Sequence, residues 1–175
     1  MCTTVAMLAA RNAADELSRS YLRVVAELTE TPRRLDEIAD AIPESQWRRR
    51  PGDGGFALVE HVLLLHSIDL EGYRARIERM LTELEPELPD IDGDKLAEER
   101  RYLFQNARAG RIAFAAVRRE LVARLASLGP AERQRVGALE GFGSLTIEEL
   151  AGVMAAHDRE HLQALTRLRA EIGGA

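Results

Sequence analysis

Apolar residues recur at steps of three and four along four stretches of the chain, the spacing that gathers them on one face of a helix. The first stretch runs from Val5 to Leu28, through Leu8, Leu17, Tyr21, Leu22, Val24 and Val25. Thr31-Pro32 then reads as a helix start, Thr as N-cap and Pro at the first helical position, and Leu35, Ile38, Ala39 and Ile42 continue the period. The pattern leaves open whether Pro32 kinks one long helix or separates two. Trp47 follows in a short polar turn, and Pro51-Gly-Asp-Gly-Gly55 breaks the chain.

Phe56 to Leu84 is the second helix, with Phe56, Val59, Leu63, His66, Leu70, Tyr73, Ile77 and Leu81 along one stripe. Its first half is apolar almost all round, which predicts the most buried helix of the set. Residues 85–94 read as a loop, by their prolines and acids. Lys95 to Leu128 is the third helical segment, with Leu103, Ala107, Ala113, Phe114, Val117, Leu121 and Leu125 facing the core and Gly110 as a candidate kink. Gly129-Pro130 ends it, and a glycine-bearing loop leads to the last helix, Leu145 to Ile172. Thr146-Ile-Glu-Glu149 opens that helix as a capping box, and Gly173-Gly174 closes it. With no strand alternation and no internal repeat, the chain reads as all-α. The expected form is one domain over 1–175, an antiparallel four-helix bundle with an N-terminal helical extension. The loops at 86–94 and 129–145 are long enough for a crossover instead of simple up-and-down order.

The last helix carries the candidate chemistry. Leu150, Val153, Met154, Leu165 and Leu168 form its core stripe, and His157 and His161, four apart, lie on the same face. Two inward imidazoles need partners: a carboxylate or a water for each, or one metal ion for both. A metal site with open positions needs a third ligand from another helix. With only four histidines in the chain, that ligand is His61 or His66, or a carboxylate such as Glu60 or Asp69.

Composition narrows the class. Ala, Leu, Arg and Glu dominate, and 29 acids against 24 bases give a net charge of −5 with the signs interspersed. Arg48-Arg49-Arg50 and Arg100-Arg101 read as solvated helix ends, which argues against a nucleic-acid partner. No apolar run reaches the roughly 18–20 residues of a membrane span. Val5 to Ala10 lacks the basic leader of a secretory signal, so a cytoplasmic location is expected. The one cysteine, Cys2, excludes an internal disulfide and is a poor catalytic candidate at the terminus.

Several pieces together carry a resemblance. Phe56-Ala-Leu-Val-Glu-His-Val62, Glu71-Gly-Tyr-Arg-Ala-Arg-Ile77, the Pro-rich loop from Leu84 to Asp94, Gly141 to Leu150, and His157-Asp-Arg-Glu-His-Leu-Gln163 resemble the DinB-like superfamily from about residue 30 to the C-terminus. The resemblance implies a four-helix bundle that often dimerises, with a divalent metal on one histidine of the second helix and two of the HxxxH on the last. Relatives include YfiT-like metal-dependent hydrolases, bacillithiol transferases and mycothiol-dependent maleylpyruvate isomerases. An ungapped register puts Leu64 at the second-helix ligand position. His61 then lies three residues earlier, about 60° round the helix, and His66 two later, about 160° away. A gapped register would place His66 there instead; the ungapped one keeps Glu71-Gly-Tyr73 and the Pro-rich loop aligned. The expected metal ligands are therefore His61, His157 and His161, around Zn, Ni or Fe(II).

The expected function is that of a small-molecule enzyme, a thiol S-transferase or a related hydrolase or isomerase. Its partners would be a small-molecule substrate, such as a low-molecular-weight thiol, and a second copy of the chain, with no nucleic acid and no membrane. The alternative is a metal-free member, with Leu64 at the ligand position, that binds a partner or uses its histidines for acid–base catalysis. A third reading is a dimeric stress-associated protein without chemistry. Glu60, Asp158 and Glu160, each beside a histidine in sequence, read as solvated charges, and no residue is assigned a catalytic role. Trp47 and Tyr73 read as pocket or packing residues.

Overall fold

Proline at position 32 does not break the first helix. In the computed structural model, which describes the backbone of residues 3–173 and the side chains of 19–173, α1 runs unbroken from Thr3 to Asp40. Thr31 is therefore not an N-cap; it lies within the helix, and its hydroxyl donates across the core to Asp158 (2.7 Å). Cys2 and the side chains of Leu8 and Leu17 lie outside the described residues.

The second rod is α2 (Leu58–Ser67), a π-helical turn over Ile68–Tyr73, and α3 (Arg74–Thr82). Its first half is buried nearly all round, as an apolar helix must be. The expected third helix, Lys95 to Leu128, is in fact two. A short α4 (Gly93–Glu99) is capped by Arg100; Arg101 then takes a left-handed conformation (φ 53°), and a 3₁₀ turn over Tyr102–Phe104 follows. Then α5 (Ala107–Ser127) starts afresh, with the Asn106 side chain accepting from the Ala109 amide (3.1 Å). Gly110 is no kink. It lets α5 approach α2, since a β-carbon there would lie 2.8 Å from Leu63 Cδ2 and 3.1 Å from Val62 Cγ1.

The two loops expected at 86–94 and 129–145 meet each other. A four-residue α6 (Pro130–Arg133) precedes β2 (Val136–Leu139), which pairs antiparallel with β3 (Gly143–Thr146) and parallel with β1 (Glu87–Leu88). Strands of two and four residues are too short to show alternation in sequence. The last helix, α7 (Ile147–Gly173), begins on the expected capping box. The Thr146 amide donates to Glu149 Oε2 (2.7 Å), and the Glu149 amide donates to Thr146 Oγ1 (3.1 Å).

The four rods α1, α2–α3, α5 and α7 form the expected four-helix bundle, with the small sheet beside it. Packing runs α1 on α7, α1 on α5, α2 on α5 and α2 on α7, so consecutive rods stand mostly on the diagonals. This is the crossover order, not up-and-down. Leu28, Leu58, Leu65, Ile77, Phe114, Leu121, Leu150 and Leu165 fill the centre. Trp47 closes one end of the bundle, buried, with its Nε1–H donating to the Ile42 carbonyl (2.9 Å). Among the described residues no helix is long and apolar enough to cross a membrane.

Candidate metal centre

His61 is the fourth residue of α2, and its backbone amide closes the first turn on Ala57 (3.1 Å). Opposite stand His157 and His161, one helical turn apart near the middle of α7. The three rings form one string. His61 Nδ1 lies 2.7 Å from His161 Nδ1, and His161 Nε2 lies 3.0 Å from His157 Nε2. The first pair of rings is edge-on at 89°, the second at 68°. Phe56 meets His61 edge-on at 5.7 Å, and Tyr73 approaches His157 at 6.1 Å.

Burial keeps all three imidazoles neutral. It pushes His61 down to about 4 and His161 to about 2; Glu60 opposes the shift at His61, and neighbouring histidines add to it at both. His157 is lowered as well, by burial first, against the pull of Asp158 and Glu160. A neutral imidazole has one N–H and one lone pair, so His161 donates through one nitrogen and accepts through the other. At the end of the string, His157 Nδ1 is buried with no hydrogen-bond partner.

The other candidates stand elsewhere. His66 is half-buried beside Glu71 and Arg100, and none of the ring contacts involves it. Leu64 packs against α4, where a β-carbon on Gly93 would lie 3.1 Å from its Cδ2. Glu60 is not a solvated charge but fully buried, accepting from the Ala57 amide (2.8 Å) and from Arg50 Nε (3.0 Å). Asp69 and Asp158 are equally buried, and both are gripped by Arg118, which is itself 1% exposed. The reading of Asp158 as a solvated charge is thus overturned; Glu160 is exposed as expected. Burial pushes Asp69 up to about 6 against the opposing pull of Arg118. Sequence reasoning passed over Arg118 altogether. The signal was there: Phe114, Arg118, Leu121 and Leu125 step by four, three and four, so a guanidinium interrupts a core stripe.

A cavity of ≈570 Å³ lies between the 50–56 loop, α4 and the Tyr102–Phe104 turn. Arg50, Phe56, Glu60, Asp94, Arg101 and Phe104 line it. No histidine opens onto it, but Phe56 stands in both places, one of its contacts being the ring of His61.

The donor set suits a divalent transition metal: three neutral nitrogen ligands from two facing rods, and an orphaned ring nitrogen on one of them. The rings as they stand are closed on each other. A single ion needs one nitrogen per ring directed at one point, whereas His161 offers Nδ1 to His61 and Nε2 to His157. Among the described residues no group of three His, Cys, Asp or Glu is arranged to hold an ion.

No curated protein sequence matches the chain. Among solved structures it is similar to YfiT from Bacillus subtilis, described as a probable metal-dependent hydrolase with an unusual four-helix bundle topology. The match has a TM-score of 0.80 and 20% sequence identity, and covers 87% of each chain. The family model of the DinB superfamily matches residues 27–165, which includes His61, His157 and His161. The chain belongs to the DinB superfamily.

Proposed function

We propose that this protein is a metal-dependent hydrolase of a small molecule, with His61, His157 and His161 as ligands of one divalent ion. The observation that carries the reading is the meeting of three neutral imidazoles from two facing rods, His61 and His161 buried and His157 half-buried. The description of YfiT as a probable metal-dependent hydrolase supports it. When bound, the ion supplies a Lewis acid and a water acidified to near neutral pH. The chain does the rest. Burial holds the ring lone pairs available to mildly acid pH. Phe56 packs edge-on against His61 and Tyr73 lies against His157, bounding the cluster on two sides. Three protein nitrogens leave positions open for water and substrate.

The test is metal content and affinity, measured on protein purified without a metal-affinity column. About one divalent ion per chain is expected, lost in His157→Ala and in His161→Ala. Full occupancy in His157→Ala overturns the reading.

The N···N contacts themselves favour a second reading, in which the string acts without metal. A proton entering at His157 can leave at His61 through alternating donors and acceptors, and such acid–base catalysis is typically worth about 10²–10⁴-fold. Activity that survives exhaustive chelation selects this reading over the first.

A further inference from the structure

Arg118 touches all four rods at once. It stands on α5, and its Nη1 donates to the Leu28 carbonyl of α1 (3.3 Å). Its Nε and Nη2 donate to the two oxygens of Asp69 in the π turn, at 2.7 and 2.9 Å. Both Nη atoms donate to Asp158 of α7, Nη2 at 3.0 Å. A guanidinium has five N–H groups, and these bonds occupy all of them. The Leu28 carbonyl is open to it because Pro32, four residues on, has no amide to give. Thr31, in the same turn of α1, donates to the same Asp158 oxygen that accepts from Nη1.

Both histidine-bearing rods hang on this grip. Asp158 follows His157 and precedes His161 by three residues, within about 100° of each round α7. Asp69 lies about two turns beyond His61 on the second rod. A helix whose carboxylate is bonded from two sides cannot rotate or slide without breaking charged, buried hydrogen bonds. The charges are unequal as well: one guanidinium against two carboxylates leaves an excess negative charge, and one of the carboxylates, Asp158, acts directly on the neutral His157 ring.

We propose that Arg118 is the positioning residue of the histidine cluster. By gripping Asp69 and Asp158 together it sets the rotation and register at which His157 and His161 meet His61, and the excess charge of the trio favours a divalent cation there. The second half rests on the metal reading above; the first does not.

The experiment has two readouts on the full chain. One is the through-hydrogen-bond coupling between the Nδ1 atoms of His61 and His161 in ¹⁵N-histidine-labelled, metal-free protein. The other is zinc affinity by competition with a chelator. Arg118→Met removes every donor, Arg118→Lys keeps the charge but not the fork, and Leu125→Ala, a cavity in the same helix, controls for lost stability. Measured where each variant is folded, both Arg118 variants should lose the coupling and bind zinc on the order of 10–100-fold more weakly. Leu125→Ala should keep both. If Arg118→Met does not fold, Arg118→Lys decides; wild-type coupling and affinity in that variant overturn the proposal. Asp69→Asn removes one negative charge together with one of the two oxygens that accept from Arg118; compared at equal coupling, it should bind zinc less tightly than wild type. Unchanged zinc affinity there overturns the electrostatic half. If the wild-type protein takes up no zinc, the metal reading fails, and the coupling still tests the positioning.

Discussion

His61 Nδ1 stands 2.7 Å from His161 Nδ1, and burial holds both rings neutral. Each ring has a lower pKa folded than unfolded, so it contributes stability that is fully present above 6.5 and is lost as the pH falls. For His61 the fall from 6.5 to about 4 corresponds to about 3 kcal/mol. Asp69 works the other way. Its folded value is raised from 3.8 to about 6, so its contribution is present below 3.8 and lost as the pH rises through 6. Three histidines outweigh one aspartate, and the metal-free protein should weaken on acidification from pH 7 to pH 5. Urea unfolding at the two pH values measures this. His161→Phe should flatten the dependence, and equal slopes for wild type and variant would refute the assignment.

His66 lies outside the string, so His66→Ala should leave metal uptake unaltered, whereas His61→Ala should abolish tight binding. Parallel titrations of the two variants compare them directly. Loss of the ion in His66→Ala alone would favour the gapped register over the ungapped one.

Removing Arg118 leaves two buried carboxylates without their cation. Breaking a buried pair from one side costs about 3–5 kcal/mol, whereas removing both sides is far less harmful. Arg118→Met should therefore lower stability by about that amount. The combined Arg118→Met, Asp69→Asn, Asp158→Asn protein should recover part of the loss. Chemical denaturation of both proteins checks this, and a combined variant no more stable than Arg118→Met alone contradicts it.

Gly110→Ala sets helix propensity against packing. The substitution gains up to about 1 kcal/mol in an isolated helix. Here the new β-carbon would meet Leu63 Cδ2 at 2.8 Å and Val62 Cγ1 at 3.1 Å, and overpacking costs typically 1–3 kcal/mol. The net effect expected is a loss, read as a lower urea midpoint at unchanged m. A gain would show that α5 can move away from α2.

What the sequence makes legible is what local periodicity and caps encode. The stripe from Leu150 to Leu168 and the Thr146–Glu149 box place α7 and aim His157 and His161 inward. The break between α4 and α5 was harder to read. It contains no Gly or Pro, and only Asn106 marked the restart. Pro32 was misleading for a reason outside its own helix: the carbonyl it leaves unpaired is taken by a guanidinium 90 residues away. The trio of Arg118, Asp69 and Asp158 is likewise built from distant positions that periodicity treats one at a time. Charges on apolar stripes are its only trace in the sequence.

His61 and His161 are 100 residues apart along the chain, and the rods that carry them are not consecutive. A contact closing so large a loop forms only after much chain entropy has been spent. The pairing of these two rings is therefore expected to be a late event on the way to the native state. Their NMR signals can serve as a clock for the final docking of α7, distinct from the earlier appearance of helix.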